Sequence, residues 1–221
     1  MARLRIAPIV EGHGEVASIR ILLERLWYET LEGEFIRVER PAFKPKGTLR
    51  DDADGLRKAV RIALEKLDEP AALPERKMVL ILLDSDEPGD DNCPAKMGPR
   101  LQTLAQSVDS RIEVACVVAN VEYETWFAAS AESLVARGYL QMRAGEPIPG
   151  DPEGQRLRKK WIEDRFAVSG VIQRGRKYTP PVDQPPMTQA MDLAVCRSRS
   201  PSFDKLCREL EKRMAPSGPH E

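Results

Sequence analysis

An α/β fold, with a mainly parallel four-stranded sheet flanked by helices and a helical C-terminal extension, is what this sequence predicts. Three observations carry that expectation. Met78 to Leu83 is an unbroken apolar run that ends in Asp84-Ser85-Asp86-Glu87 and then in turn residues; such a run reads as a strand covered on both faces, as in parallel sheets. Strand-like and helix-like segments alternate four times, the order that builds right-handed parallel crossovers. Acidic residues close three of the four strand-like segments, and a helical pattern follows each.

Taken in order, Leu4 to Val10 is the first strand, and Pro8 within it points to an edge or an irregular ladder. The strand ends in Glu11-Gly12-His13-Gly14-Glu15, where two glycines permit a tight turn with positive φ, and Val16, Ile19, Leu22, Leu23 and Leu26 then repeat at helical spacing. Glu15 falls in the first turn of that helix, a position the helix dipole also favours for an acid. The glycines lack the dinucleotide spacing and any Lys-Ser/Thr ending, and a phosphate cradle avoids carboxylates aimed at the anion, so a nucleotide loop is the weaker reading. His13 reads as a loop residue with a hydrogen-bond partner rather than a base.

Phe35 to Glu39 is a short alternating strand, followed by a basic, proline-punctuated loop in which Arg40, Lys44 and Lys46 are candidate phosphate contacts. Asp51 or Asp52 caps a helix that runs to Leu67 with Leu56, Val60, Ala63 and Leu64 on its inner stripe. The Asp84 strand comes next, then a helix near Met97 to Ser107 and a fourth strand, Ile112 to Asn120. That strand runs into Glu122 and Glu124, the latter starting a helix whose inward face holds Trp126, Phe127, Ala131 and Leu134.

From Arg137 the composition shifts to glycine, proline and charge. Residues 1–136 form the expected core, 137–214 a helical and loop extension packed on it, and 215–221 a tail. Within the extension a helix is expected over Gly154 to Phe166, an extended segment over Tyr178 to Pro186, a short helix from Thr188 that contains Asp192, and a helix from Phe203 to Met214 with Ser202 as its N-cap. Asp183 and Asp192 read as turn or cap residues.

Composition excludes several classes. The chain has 221 residues, 42% hydrophobic and 31% charged, long enough for a sizeable core. It has neither the ~20-residue apolar run of a membrane span nor a secretion signal, so a cytoplasmic location is expected. A net charge of −1 advertises no global nucleic-acid field, yet eight basic residues against two acidic ones between Gln155 and Tyr178 leave a local charge of +6. Arg158, Lys159, Lys160 and Lys177 in that segment are candidates for phosphate contact, Lys160 also for a catalytic role. Four scattered cysteines and two histidines suggest neither a zinc site nor a disulfide framework.

The chemistry lies in the carboxylates. Asp84 and Asp86, two apart on an extended chain, point the same way at the carboxyl edge of a sheet, where α/β folds bind ligands. Like charges held together call for a cation, and hard oxygen donors suit Mg²⁺ or Mn²⁺. Caps, turns and a solvated acidic loop are the plainer alternatives for each acid taken singly.

Val10-Glu11-Gly12-His13-Gly14-Glu15 together with Leu83-Asp84-Ser85-Asp86 resembles the Toprim (topoisomerase-primase) arrangement. More narrowly, Ile9 to Gly12, the Asp-x-Asp followed by Cys93-Pro94, Glu122 to Phe127, and Asp183-Gln184 with Arg197 to Phe203 resemble domain of unknown function 4276, from the first strand almost to the C-terminus. The resemblance implies a Toprim-like core serving phosphodiester chemistry, with Glu11 as general acid/base or metal ligand, Asp84 and Asp86 as metal ligands, and Glu15 with Glu122 or Glu124 supporting a second metal. It also implies a setting in prokaryotic anti-phage defence beside an ATPase partner. The chain lacks an ATPase motif, a topoisomerase-like tyrosine context and a zinc domain for primase work, which leaves a divalent-metal-dependent nuclease acting on nucleic acid or nucleotide. The alternatives are a catalytically weak interaction subunit working with a partner ATPase, and a small-nucleotide phosphohydrolase.

Overall fold

The computed structural model describes residues 3–45, 47–70, 73–86, 93–154, 158–167 and 176–214. Five parallel strands form one sheet: β1 (Arg3–Val10), β2 (Phe35–Val38), β3 (Ala42–Phe43), β4 (Arg76–Asp84) and β5 (Glu113–Ala119). Their order is β2-β1-β4-β5, with β3 also pairing β1. The expected four strands are all present, and β3 is an addition inside what the sequence presented as a basic loop.

The helices are α1 (His13–Arg25), prolonged by a π-helical turn over Leu26–Thr30, α2 (Thr48–Asp51), α3 (Ala53–Leu67), α4 (Pro94–Gln106), α5 (Glu124–Ala129), α6 (Ala131–Ala136), α7 (Arg158–Arg165), α8 (Pro180–Ala190), α9 (Leu193–Arg199) and α10 (Pro201–Glu211). Of the two caps the sequence offers for α3, Asp51 and Asp52, it is Asp52 that accepts from the Asp54 N–H. No helix among the described residues is long and apolar enough to cross a membrane.

Alternation along β4 explains why its apolar run is unbroken. Met78, Leu80 and Leu82 join Ile19, Leu22, Trp27, Tyr123, Trp126 and Phe127 in one core. Val79, Ile81 and Leu83 join Leu56, Val60, Ala63, Met97 and Leu101 in the other. A strand buried on both faces has no polar side. Met187, Phe203, Leu206 and Leu210 belong to the first core, so the C-terminal third shares it with the sheet.

Pro8 does not mark an edge, because β1 lies between β4 and the β2/β3 flank. The Ile6 and Val10 carbonyls accept from Glu39 N–H and Lys44 N–H on that flank, at 2.8 and 3.1 Å. Pro8, of the same parity, faces it too. There the neighbouring strand is interrupted between Val38, opposite Ile6, and Ala42, opposite Ile9, so the missing N–H falls in a gap.

Three other expectations change. Tyr178 to Pro186 is not extended throughout: α8 starts at Pro180, with prolines in its first turn, where N–H groups have no partner anyway, and Pro185 and Pro186 further in. Burial of Gln184, Met187 and Thr188 offsets the lost helix bonds, and the Arg25 guanidinium ties the end of α8 to α1 by donating to the carbonyls of Thr188 and Met191 at 2.8 and 2.9 Å. Asp192 lies outside α8 and caps α9 through the Val195 N–H. Ser200, not Ser202, caps α10, accepting from Phe203 N–H at 3.1 Å. Ser202 instead accepts from the Trp126 indole at 2.9 Å, pinning α10 to α5.

Candidate active site

Three strand ends converge at the carboxyl edge. Glu11 follows β1, Asp84 closes β4 with Asp86 two residues on, and Glu122 and Glu124 follow β5. The turns after β4 and β5 are bonded crosswise: Ser85 N–H donates to the Ala119 carbonyl at 3.0 Å and Asp86 N–H to the Val121 carbonyl at 2.8 Å. Val121 N–H returns a bond to Ser85 Oγ at 2.7 Å. Asp86 and Val121 have φ of +64° and +69°, uncommon for an aspartate and an outlier for a β-branched residue, so strained backbone is held beside the acids.

The Gly12 turn is built differently from the expectation. Gly12 has φ −97° and precedes α1 directly. Its need for glycine is steric, since a Cβ there would sit 1.6 Å from Glu15 Oε2. Gly14 likewise makes room for the Gln184 amide, 1.8 Å from where its Cβ would be.

Burial and mutual repulsion dominate the electrostatics. Asp84 keeps part of its surface open, yet burial and then Glu15, Glu124, Asp86 and Glu122 hold its carboxyl well above the usual range. Its Oδ1 accepts from the Tyr123 N–H at 2.9 Å. Glu124 is pushed up to about 7, by burial first and then by Glu122 and Glu15, with Lys159 opposing. Glu15 is raised by burial; the Gln184 amide and the Lys159 charge ease it, but no hydrogen bond closes on its buried Oε2 among the described residues. Glu11 is pushed up to about 7 by burial, against the Gly47 N–H that donates to its Oε1 at 3.1 Å, with Asp86 adding to the rise and Arg50 subtracting.

Residues 10–211, from the tip of β1 to the end of α10, match the family model described as Domain of unknown function (DUF4276). The chain belongs to the DUF4276 family. No curated protein and no solved structure matches it. The matched span of this DUF4276 chain contains all three acidic strand ends and the α8 segment packed against them.

Glu11, Glu15, Asp84, Asp86, Glu122 and Glu124 therefore share one edge, coupled through space. The expected cations divide. Lys159 acts on Glu15 and Glu124 through its charge, and its N–H donates to Glu122 Oε1. Lys160, one residue on, turns its ammonium to Asp164. Within the same basic stretch Arg165 pairs with Glu146 and Arg176 with Asp183, so those charges serve the fold. Lys44 is half-exposed just past β3, and Lys177 is exposed ahead of α8. Of Arg158 only the backbone is described, and Lys46 lies outside the described residues.

Three participants were given no part in the site from the sequence, although Asp183-Gln184 is among the segments that carry the family resemblance. Arg50 reaches Asp86 Oδ2 at 3.4 Å. Gln184 Nε2 donates to Glu124 Oε1 at 3.5 Å. The Tyr178 hydroxyl is buried beside Glu124, which raises its pKa after burial has done so. Local sequence gives none of them a role at the edge, because each comes to it from a distant segment. Among the described residues, no three histidine, cysteine, aspartate or glutamate side chains are arranged to hold a metal ion as they stand.

Proposed function

We propose that the acidic carboxyl edge of this DUF4276 chain is a Mg²⁺ or Mn²⁺ site of the Toprim kind that serves phosphodiester hydrolysis. The observation that carries the reading is the convergence of six carboxylates from three strand ends on one edge, with the turns after β4 and β5 bonded crosswise. Two features favour a cation there: every donor is a hard oxygen, and Glu15 Oε2 is buried without a hydrogen bond among the described residues. Mg²⁺ is held by one or two carboxylates, with waters and substrate phosphates completing its shell, so a preassembled cage of three is not required.

Asp84 and Asp86 would hold one ion, and Glu15 with Glu122 or Glu124 would support a second, which leaves Glu11 for proton transfer. When bound, the cation supplies charge neutralisation at the phosphate oxygens and a more acidic water. Glu11, half-buried and oriented by the Gly47 N–H, is the group suited to take the proton of the attacking water. Lys159 takes the charge-neutralising role that the sequence offered to Lys160, since its charge already acts on Glu15 and Glu124. Arg50 steadies Asp86. A cytoplasmic nuclease of anti-phage defence, controlled by a partner ATPase, is the setting this reading belongs to.

One observation favours a second reading, a partner-binding subunit with little catalysis of its own: among the described residues the acids do not form a ready cage. Calorimetric titration of Mn²⁺ and Mg²⁺ into the wild type and Asp84→Asn, followed by nicking of supercoiled plasmid, separates them. Metal binding and nicking that are both lost in the variant support the hydrolase. Metal-free behaviour of the wild type overturns it and leaves the interaction subunit.

A further inference from the structure

His13, the first residue of α1, is exposed, and its imidazole lies stacked on the Phe43 ring with centroids 4.3 Å and planes 25° apart. Phe43 ends β3 and is 37% exposed. The β3 register sets it beside Val10, the residue before Glu11. The chain beyond Phe43 then wraps Glu11: Lys44 N–H donates to the Val10 carbonyl at 3.1 Å and Gly47 N–H to Glu11 Oε1 at 3.1 Å. Along the backbone the two-ring shelf therefore brackets Glu11, with His13 two residues beyond it and Phe43 across the ladder from the residue before it. Lys44 stands half-exposed next to the shelf, and the Arg50 charge acts on both Glu11 and Asp86.

An aromatic surface open to water beside cations and a phosphodiester site matches the two parts of a nucleotide. Every nucleobase has a face to stack, and such stacking tightens binding about tenfold per base without sequence preference. A base inside a duplex has both faces covered, so only an unpaired one meets the shelf.

We propose that the His13–Phe43 shelf holds an unpaired nucleobase whose phosphate lies at the Glu11 edge, so that a paired duplex is not the substrate. The unpaired base comes from a strand or from a free nucleotide. The proposal rests on the phosphodiester reading for the identity of the neighbouring site, but its test does not depend on turnover.

The test is fluorescence anisotropy in Ca²⁺ with a labelled five-nucleotide oligothymidylate and an abasic strand of the same length and charge. The wild type is expected to bind the base-bearing strand about tenfold tighter, the effect of one stacked base. Phe43→Ala and His13→Ala bring the ratio to about one, with unchanged Mn²⁺ affinity by calorimetry and an unchanged melt. Phe43→Tyr, which keeps the ring, retains the preference and guards against a folding defect in Phe43→Ala. Competition by thymidine monophosphate assigns the base to a free nucleotide, and its failure assigns it to a strand; both sustain the shelf. Equal affinity of the wild type for the two strands, or no binding of either, overturns it. Loss of Mn²⁺ binding in the wild type would instead remove the metal reading and leave the base preference to be read separately.

Discussion

The Asp86 amide donates to the Val121 carbonyl at 2.8 Å, and both residues hold a left-handed backbone. The turn that presents one acid is therefore braced by the turn that leads to two others. Asparagine tolerates this conformation where alanine does not. Asp86→Asn should keep the wild-type melting temperature within a degree or two while weakening Mn²⁺ binding. Asp86→Ala should lose a further ~1–2 kcal/mol of stability, measured by urea denaturation.

Asp84 is loaded by like charge from Glu15, Glu124, Asp86 and Glu122. Asparagine removes the charge and still accepts from the Tyr123 N–H. Asp84→Asn should therefore melt higher than the wild type in EDTA, as expected where a site trades stability for function. The wild type should gain melting temperature on adding Mn²⁺, and the variant should not. A variant that melts lower in EDTA would mean that the acids are not in conflict.

Glu209 carries a pH dependence of its own away from the acidic edge, beside Arg213, which also pairs with Glu113 at the start of β5. Burial would raise its carboxyl, but Lys205, Lys212 and Arg213 outweigh it and hold it down to about 2. A depressed folded pKa contributes stability above the unfolded value near 4.5 that is lost as pH falls through about 2. Glu209→Gln should therefore be less stable than the wild type at pH 7, with the gap closing between about pH 4.5 and 2. Melts across that range give the measurement.

Arg5 is fully buried at the other end of the sheet, its guanidinium bonded to Glu39 Oε1 at 2.7 Å and to the Lys66 and Glu69 carbonyls at 2.6 and 2.7 Å. Removing one partner of such a network strands the others. Arg5→Ala should cost ~3–5 kcal/mol by urea denaturation, with no change in Mn²⁺ affinity per folded molecule.

Trp126 couples the C-terminal third to the sheet through its buried ring and its bond to Ser202 at 2.9 Å. Trp126→Phe should cost roughly the hydrogen bond and some packing, ~1–2 kcal/mol, and Trp126→Ala ~3–5 kcal/mol. One cooperative transition in both would mark the third as part of the same folding unit. Two transitions would separate it.

Much of this was legible without coordinates. The run from Met78 to Leu83 reads as a strand buried on both faces, and Asp51 or Asp52 as the start of α3, where the structure has Asp52. The acids at three strand ends could be placed on one edge because parallel crossovers bring all carboxyl ends to the same side. These are local signals, or consequences of a chiral rule, and need no knowledge of partners.

What the tertiary structure alone decided is which distant groups meet those acids. Proline-rich residues 180–186 read as extended by local preference, yet burial against α1 makes them helix and sends Gln184 to Glu124. Lys159 and Lys160 are equivalent in composition; about 100° of helix rotation per residue turns one toward the acidic edge and the other to Asp164. Phe43 comes to lie beside Val10 because β3 pairs with β1 in that register, and the chain that follows brings Arg50 to act on Glu11. Periodicity and end signals are written into a short stretch of chain, whereas the partners of a buried charge are set by packing between segments far apart in sequence.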